Sequence, residues 1–253
     1  MKDTKVDNID LRYELYPNPG EVLSFSAFYK KFLNPVELLQ IVASDAAINY
    51  FFNLDYSKNY GFEAEYRKQL AFINKNSTVL KNMYFGANLS YMISTVKYDI
   101  ESLISISSGL NPNDLRKSEV RSRPPQGLSP YIINSSLGYD GSIAGFQVSY
   151  NRIGPRLMIG GPESFDDQYE NPRDLIDAQL YYRFKNVDIK LNVSDLLNQP
   201  YIIYQNAGVT SDKTQIISDN QDPKGNNYNS SKDVVRSKIV RGTNIGISIN
   251  VKL

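Results

Sequence analysis

The sequence predicts an all-β protein: an antiparallel transmembrane β-barrel segment of about nine meandering strands, with short periplasmic turns and long extracellular loops. Three observations predict it. Side chains alternate apolar and polar with a period of two, which puts neighbours on opposite faces of a strand. At the end of the chain Ile245, Ile247, Ile249, Val251 and Leu253 alternate with Asn244, Gly246, Ser248, Asn250 and Lys252. The same alternation recurs in segments of about 10 residues, the length of a tilted strand that crosses a bilayer. Short turns and long polar loops then follow one another in regular order.

The first strand is expected at about 6–16, where Ile9, Leu11, Tyr13 and Leu15 alternate with Asn8, Asp10, Arg12 and Glu14. Pro17-Asn18-Pro19-Gly20 is a turn, because Gly20 tolerates positive φ. The chain returns over 21–32 with Leu23, Phe25, Ala27 and Tyr29 on one face. Residues 34–47 begin Asn-Pro and read as a loop, and a long strand is expected at 49–68, followed by a connector over 69–82. The strand at 83–97 sets Phe85, Ala87, Leu89, Tyr91 and Ile93 against Tyr84, Gly86, Asn88 and Ser90. A long polar loop over 98–125 leads to a strand at 128–139, a tight turn at Asp140-Gly141-Ser142 and a return over 145–158.

Gly160-Gly161-Pro162 opens another loop, to about 172. At 173–184, Ile176, Ala178, Leu180, Tyr182 and Phe184 alternate with Asp177, Gln179, Tyr181 and Arg183. Lys185-Asn186 is a two-residue hairpin turn, since Asn tolerates the left-handed region. Val187, Ile189, Leu191 and Val193 follow against Asp188, Lys190, Asn192 and Ser194. An Asn/Asp/Ser/Lys-rich loop at 206–233 precedes one final strand expected over 234–253. The first strand runs toward a short turn and the last ends on the short-turn side, which is the phase of a barrel whose C-terminus is periplasmic.

A soluble antiparallel sandwich, propeller or barrel alternates as well, with its apolar face inward. Two features favour the membrane. The polar faces are rich in Ser, Asn and Gly, which suits a wet lumen. Aromatics gather near strand ends (Tyr13 and Tyr16, Tyr29 and Phe32, Tyr139 and Phe146, Tyr182 and Phe184), where amphipathic rings meet the lipid–water boundary.

Composition narrows the function. The chain has 253 residues, 41% of them hydrophobic, with 19 Tyr, 11 Phe and no Trp. A net charge of +1 gives no electrostatic footprint for nucleic acid. The absence of Cys and His rules out disulfides, thiolate metal sites and Ser-His-Asp or Cys-His catalysis. The expectation is therefore a protein that is not an enzyme and holds no cofactor. No apolar run approaches the roughly 18 residues of a transmembrane helix. Residues 1–7 carry no apolar stretch of the signal-peptide kind. A secreted barrel needs such a signal, so either the barrel reading is wrong or the start of the protein is missing.

Few residues suggest chemistry. Glu63 and Glu65 are paired carboxylates on one face, expected to pair with Arg67 or Arg12 in a lumen. Asp166-Asp167 and Asn111-Pro112-Asn113-Asp114 offer oxygen ligands for Ca²⁺ but lack an EF-hand spacing, so they read as solvated loops. Arg116, Lys117, Arg121 and Arg123 form a basic cluster in the 98–125 loop. Arg116, Arg121 and Arg123 are the candidate ligand-binding residues, for an anion such as a ferric siderophore or a lipopolysaccharide phosphate. Gly160-Gly161 lacks the Lys and helix of a phosphate loop.

Four stretches carry a family resemblance. Val193-Ser194-Asp195-Leu196-Leu197-Asn198-Gln199-Pro200-Tyr201 resembles the penultimate-strand motif V-x-N-L-F-N-x-x-Y, with Asp195 for Asn and Leu197 for Phe. Arg241-Gly242-Thr243-Asn244-Ile245-Gly246-Ile247-Ser248 is similar to a closing G-R-T-F-x-L-G-x-S strand, with Leu253 in place of a terminal aromatic. Asn59-Tyr60-Gly61-Phe62-Glu63-Ala64-Glu65 resembles Y-G-x-E-x-E, and Phe32-Leu33-Asn34-Pro35-Val36-Glu37 resembles F-K-N-P-I-E. Together they are similar to TonB-dependent outer-membrane receptors of Bacteroidota-like bacteria.

The resemblance implies a 22-strand barrel filled by a plug domain and driven by TonB. It importantly covers only the last strands of such a barrel. Residues 1–253 are thus expected to be the C-terminal portion of the receptor barrel, with the plug domain and N-terminal strands absent. The implied partners are outer-membrane lipid, the remainder of the receptor, the outer-membrane assembly machinery, and TonB only through the missing plug. The implied assembly signal is the last strand with Ile245, Ile247, Ile249, Val251 and Leu253. The alternative is a small self-closing barrel acting as porin, adhesin or scaffold.

Overall fold

The computed structural model describes residues 1–43, 46–98, 121–161, 167–205, 228 and 233–252. In chain order, β1 (Lys5–Leu15) and β2 (Val22–Leu33) form a hairpin, and β3 (Val36–Ala43) and β4 (Ala46–Asn53) form another. Next, β5 (Tyr56–Gln69) and β6 (Met83–Tyr98) flank a connector holding a 3-10 turn (Leu70–Phe72) and one helical turn, α1 (Thr78–Lys81). Then come β7 (Arg121–Arg123), β8 (Tyr131–Asp140), β9 (Ala144–Ile153), β10 (Arg156–Ile159) and β11 (Gln168–Glu170). The chain finishes with β12 (Arg173–Phe184), β13 (Val187–Ser194), β14 (Tyr201–Gln205), β15 (Val234–Ile239) and β16 (Asn244–Val251).

Nine strands make one antiparallel wall in the order β1-β2-β5-β6-β8-β9-β12-β13-β16. This is the meander the alternation predicts. The register carries the two-residue period across the whole sheet. Leu11 faces Ala27, which faces Phe62, then Tyr91, then Tyr131. At the other end, Tyr139, Phe146, Leu180, Leu191 and Ile247 form one row. A polar row on the opposite face runs Glu14, Ser24, Glu65, Asn88, Asn134 and Asn151. A slip of one residue anywhere would swap the faces, so the pattern fixes the pairing.

Among the described residues, the apolar rows cover no other part of the protein. Ile247 is 68% exposed, and Ile245, Ile249 and Val251 are similarly bare. A contiguous apolar face of this size belongs against lipid. Within a closed barrel in lipid, Ile247→Arg is expected to cost about 2–4 kcal/mol near the bilayer midplane, and Ser248→Arg much less. Refolding titrations in lipid vesicles, with the neighbouring strands present, read both costs. Equal penalties, or a larger one at Ser248, would defeat the facing assignment.

The aromatic pairs divide. Tyr139 and Phe146 stack on the apolar face with ring centroids 6.3 Å apart. Tyr182 and Phe184 share that face two residues apart. Tyr29 and Phe32 do not share a face: three residues along a strand reverse the direction, so Phe32 points to the polar side.

The loop-side ends depart from the sequence reading. The expected loop at 34–47 is largely the β3–β4 hairpin, and the expected long strand at 49–68 is two strands. The chain breaks between them because Leu54 turns inward, 1% exposed, while its N–H donates to the Pro35 carbonyl at 2.7 Å. The expected single strand over 234–253 is also two strands, which pair in different sheets. Here β16 joins the wall beside β13, whereas β15 pairs with β14. The expected loop at 160–172 contains β11.

These extra strands form a crown on the loop side of the wall. One crown sheet has the order β10-β11-β14-β15, and its strands continue β9, β12, β13 and β16 beyond the wall. Among the described residues, the buried apolar cores lie in the crown region. Leu39, Leu54 and Val96 form one, with Phe52 against it. Leu157, Tyr169, Ile202 and Tyr204 form the other, with Tyr228 against it. The wall needs no such core, since its apolar side chains point outward.

The short-turn side is held by Glu21. Its carboxylate accepts from the Asn18 side-chain amide at 2.7 Å and the Gln69 N–H at 3.3 Å, with the Lys68 ammonium 3.6 Å away. The Asn18 hydrogen bond, with help from Gln69 and Lys68, holds this carboxyl below its ordinary value. A depressed pKa stabilises the fold above the unfolded value and loses that effect as pH falls through the folded value. The stability difference between the natural protein and Glu21→Gln is therefore expected to be full above pH 4.5 and to shrink below it. Chemical denaturation at stepped pH measures this, and a difference that grows on acidification would contradict it.

Candidate functional site

The polar face of the wall is concave, with a hollow of about 530 Å³ lined by Glu65, Arg67, Tyr84, Asn88, Gln147 and Ser149 among others. Period-two placement brings these side chains together from β5, β6, β8 and β9. Neutral amides dominate. Asn151 Nδ2 donates to Asn134 Oδ1 at 2.6 Å, and Asn134 Nδ2 donates to Asn88 Oδ1 at 3.3 Å. Gln179 Nε2 donates to Asn192 Oδ1 at 2.6 Å farther along. Each amide has more donors and acceptors than these bonds use, so the face hydrogen-bonds water or a polar surface laid against it.

The carboxylates differ from expectation in their partners. Arg12 pairs with Glu14 on its own strand at 2.5 Å, and Arg67 lies 5.4 Å from the centre of the Tyr84 ring. Among the described residues, Glu63 accepts only a long hydrogen bond from Ser26 Oγ, at 3.4 Å. Neither arginine neutralises Glu63 or Glu65 as the spacing suggests. The reason is distance along the sheet: Arg12 and Glu63 are separated by the intervening strand β2.

Two aromatics on this face lie over glycines. A Cβ at Gly138 would sit 2.3 Å from the Tyr84 ring, and one at Gly145 would sit 2.4 Å from the Tyr181 ring. Both pairs are direct cross-strand neighbours. The glycines let the rings lie flat on the sheet, which narrows the hollow without filling it. The sequence shows these glycines, but only the register reveals which ring each one receives.

The crown positions the basic residues. Arg123 is 3% exposed, and its Nη1 lies 2.7 Å from Glu37 Oε2 and 3.0 Å from the Pro124 carbonyl. Its side chain joins β7 to β3 and packs against Gly160. Arg123 is therefore a buried structural cation instead of the exposed loop residue that the polar composition of 98–125 suggested. Arg116 and Lys117 lie outside the described residues, as does the side chain of Arg121.

Gln126, which the sequence reading passed over, stitches the same region. Its N–H donates to Glu37 Oε1 at 3.0 Å, its Oε1 accepts from the Leu38 N–H at 2.9 Å, and its Nε2 donates to the Met158 carbonyl. Its signal in the sequence is only a polar residue beside Pro124-Pro125, which locates a turn and nothing more.

Of the candidate calcium ligands, Asp167 alone lies among the described residues. Asp167 is fully buried, and its oxygens accept from the Gly161 N–H at 3.0 Å and the Tyr169 hydroxyl at 3.3 Å, which organises the crown loop. Asp166 and the 111–114 segment lie outside the described residues. No cluster of three or more metal-ligating side chains occurs among the described residues.

The penultimate-strand motif gains a physical meaning. Asp195 and Asn198 adopt φ of 56° and 45°, which Asp and Asn tolerate better than most residues. They turn the chain out of β13 toward the crown. Asn198 Oδ1 then accepts from the Gly242 N–H at 3.0 Å, and Thr243 Oγ1 donates to the Asp195 carbonyl at 3.0 Å. The motif thus fastens the start of the closing strand to the wall, 44 residues away in sequence.

An in-register wall, apolar outside and polar inside, with short packed strands at one end, is a segment of a transmembrane β-barrel. The sheet is not closed: it ends at β1 and β16. Residues 1–196 match the family described as TonB dependent receptor-like, beta-barrel, and the chain belongs to that family.

Solved structures agree in fold. The ferric yersiniabactin uptake receptor FyuA from Yersinia pestis is 16% identical with a TM-score of 0.57, over 98% of this chain and 30% of that one. The copper transporter OprC is 13% identical with a TM-score of 0.56, over 98% and 32%. A ferric enterobactin receptor mutant, PfeA from Pseudomonas aeruginosa, in complex with enterobactin, is 16% identical with a TM-score of 0.51, over 98% and 31%. At these identities the likeness is one of fold. The chain spans about a third of the length of each. No curated protein matches it. The family is one of receptors and transporters whose members are outer-membrane proteins.

Proposed function

We propose that residues 1–253 form the C-terminal portion of the wall and outer loops of an outer-membrane active-transport receptor. The receptor imports a large or scarce ligand, such as a ferric siderophore, a vitamin or a glycan. The observation that carries this reading is the nine-strand wall itself: one face suited to lipid, the other lined by wet amides, and two strand edges left open. Open edges in hydrocarbon demand further strands. Those strands, a plug in the hollow and TonB acting through the plug complete the machine. The amide-rich concave face is where a plug surface rests, and the crown is where ligand arrives. Arg116 and Arg121 contribute to an anion-attracting rim, with Arg123 holding the rim's base through Glu37. Assembly proceeds through the machinery that inserts outer-membrane barrels, with β16 as its signal. No catalysis is assigned.

The test is genetic and uses the gene in its natural setting. Deleting the reading frame should abolish growth on one compound from a panel of ferric siderophores, cobalamins and oligosaccharides as sole iron, vitamin or carbon source. Deleting TonB should abolish the same growth. If every compound supports growth without the frame, or its uptake survives loss of TonB, the transport reading fails.

A further inference from the structure

The outward face carries a feature that transport does not use. On the loop side of the apolar rows, two consecutive outward rows hold four lysines. In one, Asp7 faces Lys31, Lys31 faces Lys58, and Lys58 faces Thr95. In the next, Lys5 faces Leu33, Leu33 faces Tyr56, and Tyr56 faces Lys97. Steps of two residues put these side chains on the same face as Ile9, Tyr29, Tyr60 and Ile93. The lysines therefore stand outside the wall, away from the hollow.

Their height follows from strand geometry. Outward apolar residues on β6 run from Phe85 to Ile93. At about 3.3 Å per residue and a tilt of about 40°, that run rises roughly 20 Å, close to the apolar band of such barrels. Thr95 and Lys97 come next, at the level of the lipid headgroups on the loop side. Tyr29 and Tyr60, directly opposed, form the aromatic step just below.

Among the described residues, the charges are poorly balanced. Lys31 and Lys58 are directly opposed, and like charges in that position destabilise a sheet. The Lys58 ammonium sits 5.5 Å from the centre of the Tyr56 ring. Among the described residues, none of the four ammoniums forms an ion pair, although Asp7 shares their row. An anion between Lys31 and Lys58 would turn this repulsion into attraction. A phosphate suits the place, because its oxygens accept hydrogen bonds from several ammoniums at once.

We propose that Lys5, Lys31, Lys58 and Lys97 form a binding site for the phosphate groups of phosphorylated lipids in the outer leaflet. The site faces the leaflet laterally. Acyl chains lie along Ile9, Tyr29, Tyr60 and Ile93, so lipid phosphate is delivered at the right level while soluble anions gain no such anchorage. The proposal rests on the membrane-wall reading above.

The experiment uses the intact receptor that contains this chain, reconstituted in phosphatidylcholine nanodiscs doped with lipid A or with its dephosphorylated form. Native mass spectrometry counts retained lipid, and trypsin protection reports insertion. Lys31→Gln/Lys58→Gln is expected to lower lipid A retention at least about tenfold, since each cation near an anionic leaflet contributes appreciably. Lys30→Gln removes the same charge from the opposite face and should leave retention unchanged. Dephosphorylated lipid should be retained equally weakly by all, and millimolar inorganic phosphate should not displace lipid A. Equal retention by the double variant, or full displacement by inorganic phosphate, overturns the site. A protein that fails to insert overturns the membrane reading as well.

Discussion

Expressed alone behind a signal peptide, residues 1–253 should give no folded, protease-resistant monomer in outer membranes. The nine wall strands alternate in direction, so β1 and β16 point the same way. A seam between them would be a parallel pair in an otherwise antiparallel sheet, whereas bacterial single-chain barrels have even strand numbers. Closure would also be narrow. Near eight strands, a barrel interior is just wide enough to be filled by side chains. Glu14, Glu63, Glu65, Arg67, Asp188 and Lys190 all face that interior, with the Tyr84 and Tyr181 rings lying across it. Unpaired charges buried there would cost several kcal/mol each. Staying open is no better, because each unpaired backbone group along β1 and β16 would cost several kcal/mol in hydrocarbon. Heat-modifiable gel mobility and protease resistance measure the outcome. Supplying further barrel strands from the same or a neighbouring reading frame should restore both. A folded monomer from the chain alone would revive the small self-closing barrel.

Loss of either partner in the Glu37–Arg123 pair should loosen the crown. The pair is almost completely buried, and breaking such a pair from one side costs about 3–5 kcal/mol because the remaining charge has no solvent. Arg123→Met would strand Glu37, which also accepts from the Gln126 N–H. Glu37→Gln would take a buried carboxylate from Arg123, whose Nη1 also donates to the Pro124 carbonyl. The double variant Glu37→Gln/Arg123→Met removes both charges and should recover most of the loss, since replacing a buried pair altogether is often close to neutral. Limited proteolysis of the assembled receptor reads this: new cleavage within the β3–β4 hairpin in each single variant, little in the double, and an intact wall in all three. Cleavage that is equal and additive in the double variant would show that the two residues do not act as a pair. The wall should hold because its stability comes mainly from its own ladder and the lipid, the crown touching it here only where β7 pairs with the end of β6.

The motifs and the wall are legible for the same reason. Tyr60 to Glu65, the alternation of β12 and β13, and the two-residue turn at Lys185-Asn186 all express backbone direction residue by residue, with Lys185 at φ 51°. Glu63 and Glu65 could be placed on the polar face from their spacing, but not matched to partners. Their neighbours come from β2 and β6, and the nearest arginines are drawn off by Glu14 and Tyr84. Arg123 was misleading in sequence because a basic residue in a polar stretch reads as exposed. What buries it is Glu37, 86 positions earlier, delivered by a hairpin that itself looked like a loop.

The sequence by itself determined the strand faces, the wall's antiparallel meander, the family and the absence of histidine and cysteine chemistry. Each of these depends on local composition or on a period of two, which survives whatever the strand is paired with. Only the tertiary structure decided that 34–47 is largely a hairpin, that 234–253 divides between crown and wall, which rings cover Gly138 and Gly145, and that lysines from four strands stand in two adjacent rows outside the wall. Those outcomes depend on contacts between segments tens of residues apart. No local pattern encodes them, because the partner that buries a loop residue or repels a lysine is chosen by register, and register is set by the whole sheet at once.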